Sequence, residues 1–249
     1  MRYQMLAWLL VGAGVYGSPA MAQPPAAPPP PPPALTGNVS AGVAITSGNS
    51  DTTNFNGSYE VKFDPKTRNV VKSDGLFLYS KANGTLSGEQ YALKVRDEYS
   101  VNARTFLFGE VRYLHDRFKG ISYLISPTVG VGYKVVDETD TSLAISAGVG
   151  AVSEKDYGLD LQTSGAVSFE EKLSRKLSSS ATAGQSFAAL WHMEDFGDGL
   201  YLFGVNLTAA LSARLQLKVE LLDTYKTRPP LPTLKSNDVA FLTGIVYKF

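Results

Sequence analysis

The chain has no cysteine, which removes a disulfide framework and a thiolate metal site from consideration while leaving an oxidising compartment open. It has no excess of either charge: 23 Lys and Arg balance 23 Asp and Glu, scattered along the sequence, so nothing points to a nucleic-acid partner. Only two histidines are present, which confines any serine–histidine chemistry to two positions. No apolar run approaches the roughly 20 residues that a membrane-spanning helix needs.

What is there begins with a secretory pattern. Arg2 supplies a positive end, Leu6 to Val15 a short apolar run, and Ala20-Met21-Ala22 a small-x-small cleavage site before Gln23. Residues 1–22 are therefore expected to be a signal peptide. The segment 23–35 is dominated by Pro and Ala, cannot pair into a sheet, and is expected to be a polyproline II linker on the periplasmic side. From residue 36 to 249 one all-β domain is expected.

Its signature is alternation. Val39, Ala41, Val43 and Ile45 alternate with Asn38, Ser40, Gly42 and Thr46; Phe55, Gly57, Tyr59, Val61 and Phe63 stand opposite Asn54, Asn56, Ser58, Glu60 and Lys62. Ten further runs follow, at about 70–82, 89–102, 105–115, 121–136, 141–153, 161–173, 177–189, 200–211, 215–226 and 237–249. Most exceed the usual strand of about 5–6 residues. They suit the about 9–11 residues that a tilted strand needs to cross hydrocarbon.

The last run puts Val239, Phe241, Thr243, Ile245, Tyr247 and Phe249 on one face and Asp238, Ala240, Gly244 and Lys248 on the other. Alternation closing on a terminal Phe predicts a final barrel strand with one face to lipid and one to a polar lumen. Phe241, Ile245, Tyr247 and Phe249 are the expected signal for the barrel-assembly machinery. Aromatics near strand ends, Phe63, Tyr79, Tyr99, Tyr133, Phe169, Tyr201 and Tyr225 among them, predict interfacial girdles.

The expected fold is thus a transmembrane antiparallel up-and-down β-barrel of about 12 strands in the outer membrane. Its expected contacts are outer-membrane lipids and ions or small polar solutes, with no cofactor and no metal. Tight periplasmic turns and mostly longer outer loops are expected, the latter notably at Trp191 to Gly199 and Thr227 to Ser236. Asp97, Glu171 and Asp223 fall on the apolar face, and a bulge near Asp97 is one account of its place there.

Several short runs carry a family likeness: Ser47-Gly48-Asn49-Ser50-Asp51-Thr52, Asp116-Arg117-Phe118-Lys119-Gly120-Ile121-Ser122-Tyr123, Gly130-Val131-Gly132-Tyr133 and the ending Tyr247-Lys248-Phe249. Together they resemble the salt-induced outer membrane proteins, a bacterial family of otherwise unknown function. The resemblance spans roughly Thr36 to Phe249. It implies an outer-membrane barrel with no established reaction, so no catalytic residue carries over. The Pro-rich segment lies outside the pattern.

On the lumen face, Glu60, Lys62, Lys72, Asp74, Lys94, Arg96, Glu98, Glu110, Arg112, Glu170, Lys172, Lys218 and Glu220 can meet as cross-strand pairs. They fit either a passage with charge rings or a salt-bridged filling of a small bore. Ser126, Thr128, Gly130, Ser146, Gly148 and Gly150 leave room and favour at least a narrow pore.

The competing class is a lipid- or envelope-modifying hydrolase, which needs a histidine beside a serine. His115, at a loop edge with Ser122 nearby, and His192, in the longest outer loop, are the candidates. In the loop motif of Asp116, Arg117, Phe118 and Gly120, a turn-stabilising Asp116–Arg117 ion pair is preferred to a binding contact. Asp137, Glu138 and Asp140 form an ordinary turn, because they lack the spaced oxygen ligands and turn glycine of a calcium loop. An autotransporter translocator would require a passenger domain and a lumen helix, which eleven Pro- and Ala-rich residues do not supply.

Overall fold

Strands that alternate polar and apolar for ten or more residues cannot end in an open sheet within lipid, because every unpaired edge N–H and C=O would go unsatisfied. The computed structural model, which describes residues 33–46 and 52–249, shows that constraint met by closure. Among the described residues the elements are β1 (Leu35–Thr46), β2 (Thr52–Phe63), β3 (Asn69–Ala82), β4 (Thr85–Ser100), β5 (Thr105–Asp116) and β6 (Ile121–Asp137). Then come β7 (Thr141–Asp156), β8 (Gln162–Lys176), β9 (Ala181–His192), β10 (Asp195–Ala210), β11 (Leu215–Lys226) and β12 (Asn237–Lys248). Each pairs antiparallel with its sequence neighbours and β12 returns to β1. The expected signal peptide, most of the Pro-rich linker and the Ser47 to Asp51 motif lie outside the described residues.

The two faces are those of a barrel turned inside out. Val129 is 62% exposed and Phe241 68% exposed on the outer surface, whereas Arg96 and Glu110 are buried inside. A continuous apolar exterior of this extent needs a nonaqueous solvent, and that fixes the wall as a membrane wall. Two aromatic chains lie along one rim: Phe55, Phe77, Tyr91 and His115 with successive ring centroids 5.2–5.6 Å apart, and Phe187, Tyr201 and Tyr225 at 6.0–6.3 Å, with Trp191 donating its indole N–H to the Tyr201 hydroxyl.

At the other rim, where the described chain enters and leaves the barrel, three turns use one device. The side-chain oxygens of Asn102, Ser178 and Ser212 each accept backbone N–H groups two and three residues on. These local bonds replace ladder bonds that end there. In a fourth turn, hydrogen bonds from Lys62 and from the Lys66 backbone and side chain hold the Asp64 carboxyl down to about 2. A lowered acid stabilises the turn fully above about pH 4 and loses that contribution as the pH falls through 2.

Three expectations change. Trp191 to Gly199 is not a loop: β9 runs to His192, β10 starts at Asp195, and a register shift between Asp195 and Gly199 absorbs the extra residues. Similarly, β3 and β4 join through Asn83-Gly84, both at positive φ as a two-residue hairpin requires, so Thr227 to Ser236 remains the one long loop among the described residues. No bulge accompanies Asp97: the β3–β4 and β4–β5 ladders are regular there, and Asn69 donates to both of its oxygens at 3.3 and 3.1 Å near the turn end. Depth along the strand, not register, makes that carboxylate tolerable.

The inverted surface sets a depth-dependent cost. Val129→Arg, at the middle of β6, is expected to destabilise the refolded barrel by about 2–4 kcal/mol, and Tyr133→Arg, in the turn-side girdle, by about 0–1 kcal/mol, measured by denaturant unfolding in bilayers. Equal costs at the two depths would contradict a lipid-facing wall.

Candidate functional site

The interior is built on a flat patch of wall. Gly130, Gly132 and Gly148 on β6 and β7 carry no side chain, and the rings of Phe106 and Phe108 from β5 lie in the space this leaves. A Cβ at Gly132 would stand 2.1 Å from the Phe106 ring, and one at Gly148 2.9 Å from the Phe108 ring. The room expected from these small residues is therefore filled by aromatic rings. Ser126, Thr128 and Ser146 are buried in the same wall.

Onto this aromatic floor the charges assemble. The Arg96 guanidinium stacks 4.1 Å above the Phe108 ring. Its Nε donates to Glu110 Oε2 at 2.6 Å, one Nη to Glu170 Oε2 at 2.6 Å and the other to Ser146 Oγ at 3.3 Å. Arg112 donates to the second Glu170 oxygen and to Glu110 Oε1, and Lys94 stands 3.4 Å from Glu170 and 3.6 Å from Asp74. Lys72 closes on Glu98 at 2.6 Å.

The topology gives these bonds their meaning. β4 and β8 are separated in the wall by β5, β6 and β7, so Arg96–Glu170 is a chord across the bore and not a ladder pair. Lys172 on β8 lies 3.5 Å from Glu60 on β2, and those strands stand opposite each other in the ring. Both side chains are more than half exposed, so this crossing is wet, while Arg96 and Glu110 are nearly sealed.

Of the charges singled out in the sequence, Lys72, Asp74, Lys94, Arg96, Glu98, Glu110, Arg112 and Glu170 join one network, and Glu60 and Lys172 form a separate pair. Lys62 joins neither; it pairs with Asp64 at the rim. Lys218 and Glu220 pair with each other on β11 at 2.8 Å.

Towards the opposite mouth one part of the lumen is apolar. Leu114, Ile121, Leu124, Val152, Ala166, Leu190 and Leu200 form a buried cluster backed by Ala92. Its signal in the sequence is Leu or Val at polar-parity positions near the far ends of β5, β6, β7, β9 and β10. Beside it, Lys226 is buried against Glu154 and 3.7 Å from Asp156. His192 Nε2 is 3.6 Å from Glu154, and its Nδ1 is 2.8 Å from Ser164 Oγ.

That row has the order of a hydrolase triad, but Glu154 is shared with a buried lysine and Ser164 also donates to the neighbouring Gly165 carbonyl at 3.1 Å. His192 is on a strand rather than in a long loop. His115 lies in the aromatic girdle with its Nδ1 on the Ser122 carbonyl at 2.7 Å, so the serine hydroxyl is not its partner.

The loop motif lies at this mouth. Asp116 Oδ1 accepts the N–H groups of Phe118 and Lys119, its other oxygen accepts from Gln90, and Arg117 faces Glu89 at 3.5 Å; the expected Asp116–Arg117 pair is replaced by these. Lys119, fully buried, donates to the carbonyls of Ser236 and Lys235 and pairs with Asp238 at 2.8 Å, tying the β5–β6 turn to the Thr227–Ser236 loop across the lumen. Gly120 has φ +74°, and a Cβ there would meet Pro230 at 2.6 Å. Asp137 and Asp140 engage Lys134 and Lys176, as solvated turn carboxylates do.

Fold and lining together define a transmembrane β-barrel of the outer-membrane kind. The chain belongs to the family described as "Protein of unknown function, DUF481", which matches residues 39–249. No curated protein matches the sequence. Among solved structures it is similar to the NanC porin, at 10% identity over 87% of this chain and 100% of that chain with a TM-score of 0.51. It is also similar to an outer membrane channel from Pseudomonas putida F1, at 13% identity over 92% and 100% with a TM-score of 0.49, and to the KdgM porin, at 10% over 86% and 99% with 0.44.

Glu170 is the acceptor shared by Arg96, Arg112 and Lys94, so Glu170→Gln removes the one carboxylate common to three cations and leaves them Glu110, Glu98 and Asp74. The expected loss is about 3 kcal/mol in denaturant unfolding, whereas Asp137→Asn, at a half-exposed turn, costs about 0–1 kcal/mol. Equal losses would mean that the cross-lumen network adds nothing.

Proposed function

We propose that this protein is a narrow channel of the bacterial outer membrane for ions and small polar solutes. The observation that carries the reading is the wet crossing of Glu60 and Lys172, two charges held on opposite walls and open to water where a filled core would have apolar contact. A passage that ions enter and leave needs sites that attract them weakly and in sequence. The NanC porin supplies the same fold.

The network and the Glu60–Lys172 pair are each charge-balanced: Lys72, Lys94, Arg96 and Arg112 stand against Asp74, Glu98, Glu110 and Glu170, and Lys172 against Glu60. Balanced rings give weak selectivity by sign and allow zwitterionic and neutral polar solutes. In this account residues 1–22 direct secretion, 23–35 form a periplasmic tether, and the strand ending in Phe241, Ile245, Tyr247 and Phe249 is read by the barrel-assembly machinery.

One observation favours a second reading, a filled barrel with a structural role in the envelope under stress. The cluster around Leu114, Leu124 and Leu190 seals part of the far half of the lumen, and the Lys119 clasp covers its mouth. A lipid-modifying hydrolase has less support, since the Ser164–His192 pair faces the lumen and Glu154 braces Lys226.

Planar-bilayer recording of the refolded protein separates these. Discrete steps with a reversal potential near zero in a salt gradient are expected, and Lys172→Glu is expected to move the reversal potential towards the cation limit. A protein that is folded, inserted and electrically silent would leave the structural reading in its place.

A further inference from the structure

The turn-side rim repeats one arrangement three times. Arg68 donates from Nη1 to the Tyr99 hydroxyl at 3.2 Å, Arg214 from Nη1 to the Tyr247 hydroxyl at 3.3 Å, and Arg104 engages the Tyr133 hydroxyl in the same way. Each arginine immediately precedes a strand, β3, β5 or β11, and each tyrosine stands towards the end of the strand that follows it, β4, β6 or β12. The backbone fixes the pairs. The N–H groups of Ser100, Lys134 and Lys248, each one residue beyond its tyrosine, donate to the carbonyls of Arg68, Arg104 and Arg214 at 2.8 Å.

These pairs lie on the outer face. Tyr99, Tyr133 and Tyr247 are all exposed there, and their register neighbours on the next strand are the exposed aliphatics Leu107, Ile145 and Val39. Short turns mark this rim as the periplasmic one, and an interfacial tyrosine keeps its ring against acyl chains with its hydroxyl at headgroup level. The three guanidinium groups therefore stand at the headgroups of the inner leaflet, which is phospholipid.

The protein leaves their charge unmatched. Among the described residues none of the three has a carboxylate as ion-pair partner. Asp137, which acts on Arg104 from a distance, is bound to Lys134 at 3.1 Å, and Asp97, one pleat deeper than Tyr99, is held by the Asn69 amide. A guanidinium carries five N–H donors in a planar fork, and the tyrosine oxygen that accepts one of them still has its own O–H to give. A charged fork beside a hydroxyl donor matches the oxygens of a phosphate, which arginine binds in bidentate fashion.

We propose that the three Arg–Tyr pairs are clamps for the phosphate of inner-leaflet phospholipids, with anionic headgroups of the phosphatidylglycerol kind preferred. The preference for an anionic head follows from the lack of an acid free to receive a headgroup ammonium. The lipid rather than free phosphate is the ligand because half of each site is apolar, the tyrosine ring and its aliphatic neighbour lying where the acyl chain begins. β6 and β12 stand opposite each other in the ring, so the clamps hold lipid on both sides of the barrel and fix its depth in the bilayer.

The same rim provides the comparison. The backbone bond recurs from Lys176 to Asp140 and from Ala210 to Ser180, at 2.8 and 2.7 Å, but Arg175 and Ala209 stand where the tyrosines would be. Arg175 is thus an exposed rim cation with no hydroxyl partner.

Native mass spectrometry of the refolded protein, released from detergent containing dioleoylphosphatidylglycerol or dioleoylphosphatidylcholine, counts the lipids retained. Up to three phosphatidylglycerol molecules are expected, and fewer of phosphatidylcholine at the same concentration. Tyr99→Phe, Tyr133→Phe and Tyr247→Phe in one chain keep every charge and every ring, and are expected to weaken phosphatidylglycerol binding roughly fivefold at each site, the effect of one hydrogen bond. Arg68→Lys, Arg104→Lys and Arg214→Lys together keep the charge and lose the fork, and are expected to weaken it by at least as much. Arg175→Gln, which removes a charge, should cost less than either. If the tyrosine variant retains lipid as the parent does, or if Arg175→Gln loses as much as that variant, charge alone gathers lipid at the rim and the clamps do not exist. The outcome is the same whether or not the lumen conducts, so it leaves the channel reading to its own test.

Discussion

Everything in this structure follows from the inability of hydrocarbon to hydrogen-bond a peptide group. A sheet in lipid must satisfy its N–H and C=O groups internally, and closure is the arrangement that removes both edges. Once β12 is brought back to β1, each strand has one face to the bilayer and one to the lumen, and side-chain alternation sorts the sequence between them. Val129 and Phe241 outside, Arg96 and Glu110 inside, are consequences of that sorting.

Inside, the same constraint works in reverse. A small bore cannot hydrate every charge fully, so the charges hydrate one another: Glu170 serves Arg96, Arg112 and Lys94, and the Arg96 plane is supported from below by Phe108. Burying such groups is costly, and the pairing offsets that cost only while each partner is present. The glycines of β6 and β7 belong to this arrangement as much as the charges do, because they let Phe106 and Phe108 lie flat against the wall. Towards the far mouth, a leucine cluster packs beside the Lys226–Glu154 pair, and the Lys119 clasp joins loops from opposite sides.

The sequence made the wall legible strand by strand, since period-two alternation is a local property: the limits at 105–116, 121–137, 215–226 and 237–248 fall within a residue or so of the expected runs, while β4, β9 and β10 start four or five residues from theirs. It also placed the interior charges on the correct face. It could not show which charges meet across the bore, because Arg96–Glu170 and Glu60–Lys172 depend on curvature and closure rather than on spacing. The fate of the small residues was likewise hidden: Gly132 next to Val131 and Tyr133 looks like empty space until Phe106 is folded over it. Leu114, Leu124 and Leu190 carried a signal as apolar residues at polar parity, and His192 was misplaced because Trp191 to Gly199 resembles a loop when the Asp195–Gly199 irregularity is not known.

The central claim is that lipid wets the outer face of the sheet and not the inner one. Spin labels placed singly along β6 in the cysteine-free chain, from Ile125 to Val131, measure it through collisions with molecular oxygen dissolved in the bilayer. High accessibility at 125, 127, 129 and 131 with protection at 126, 128 and 130 is the expected pattern. The opposite phase, or no alternation along the strand, would contradict the account.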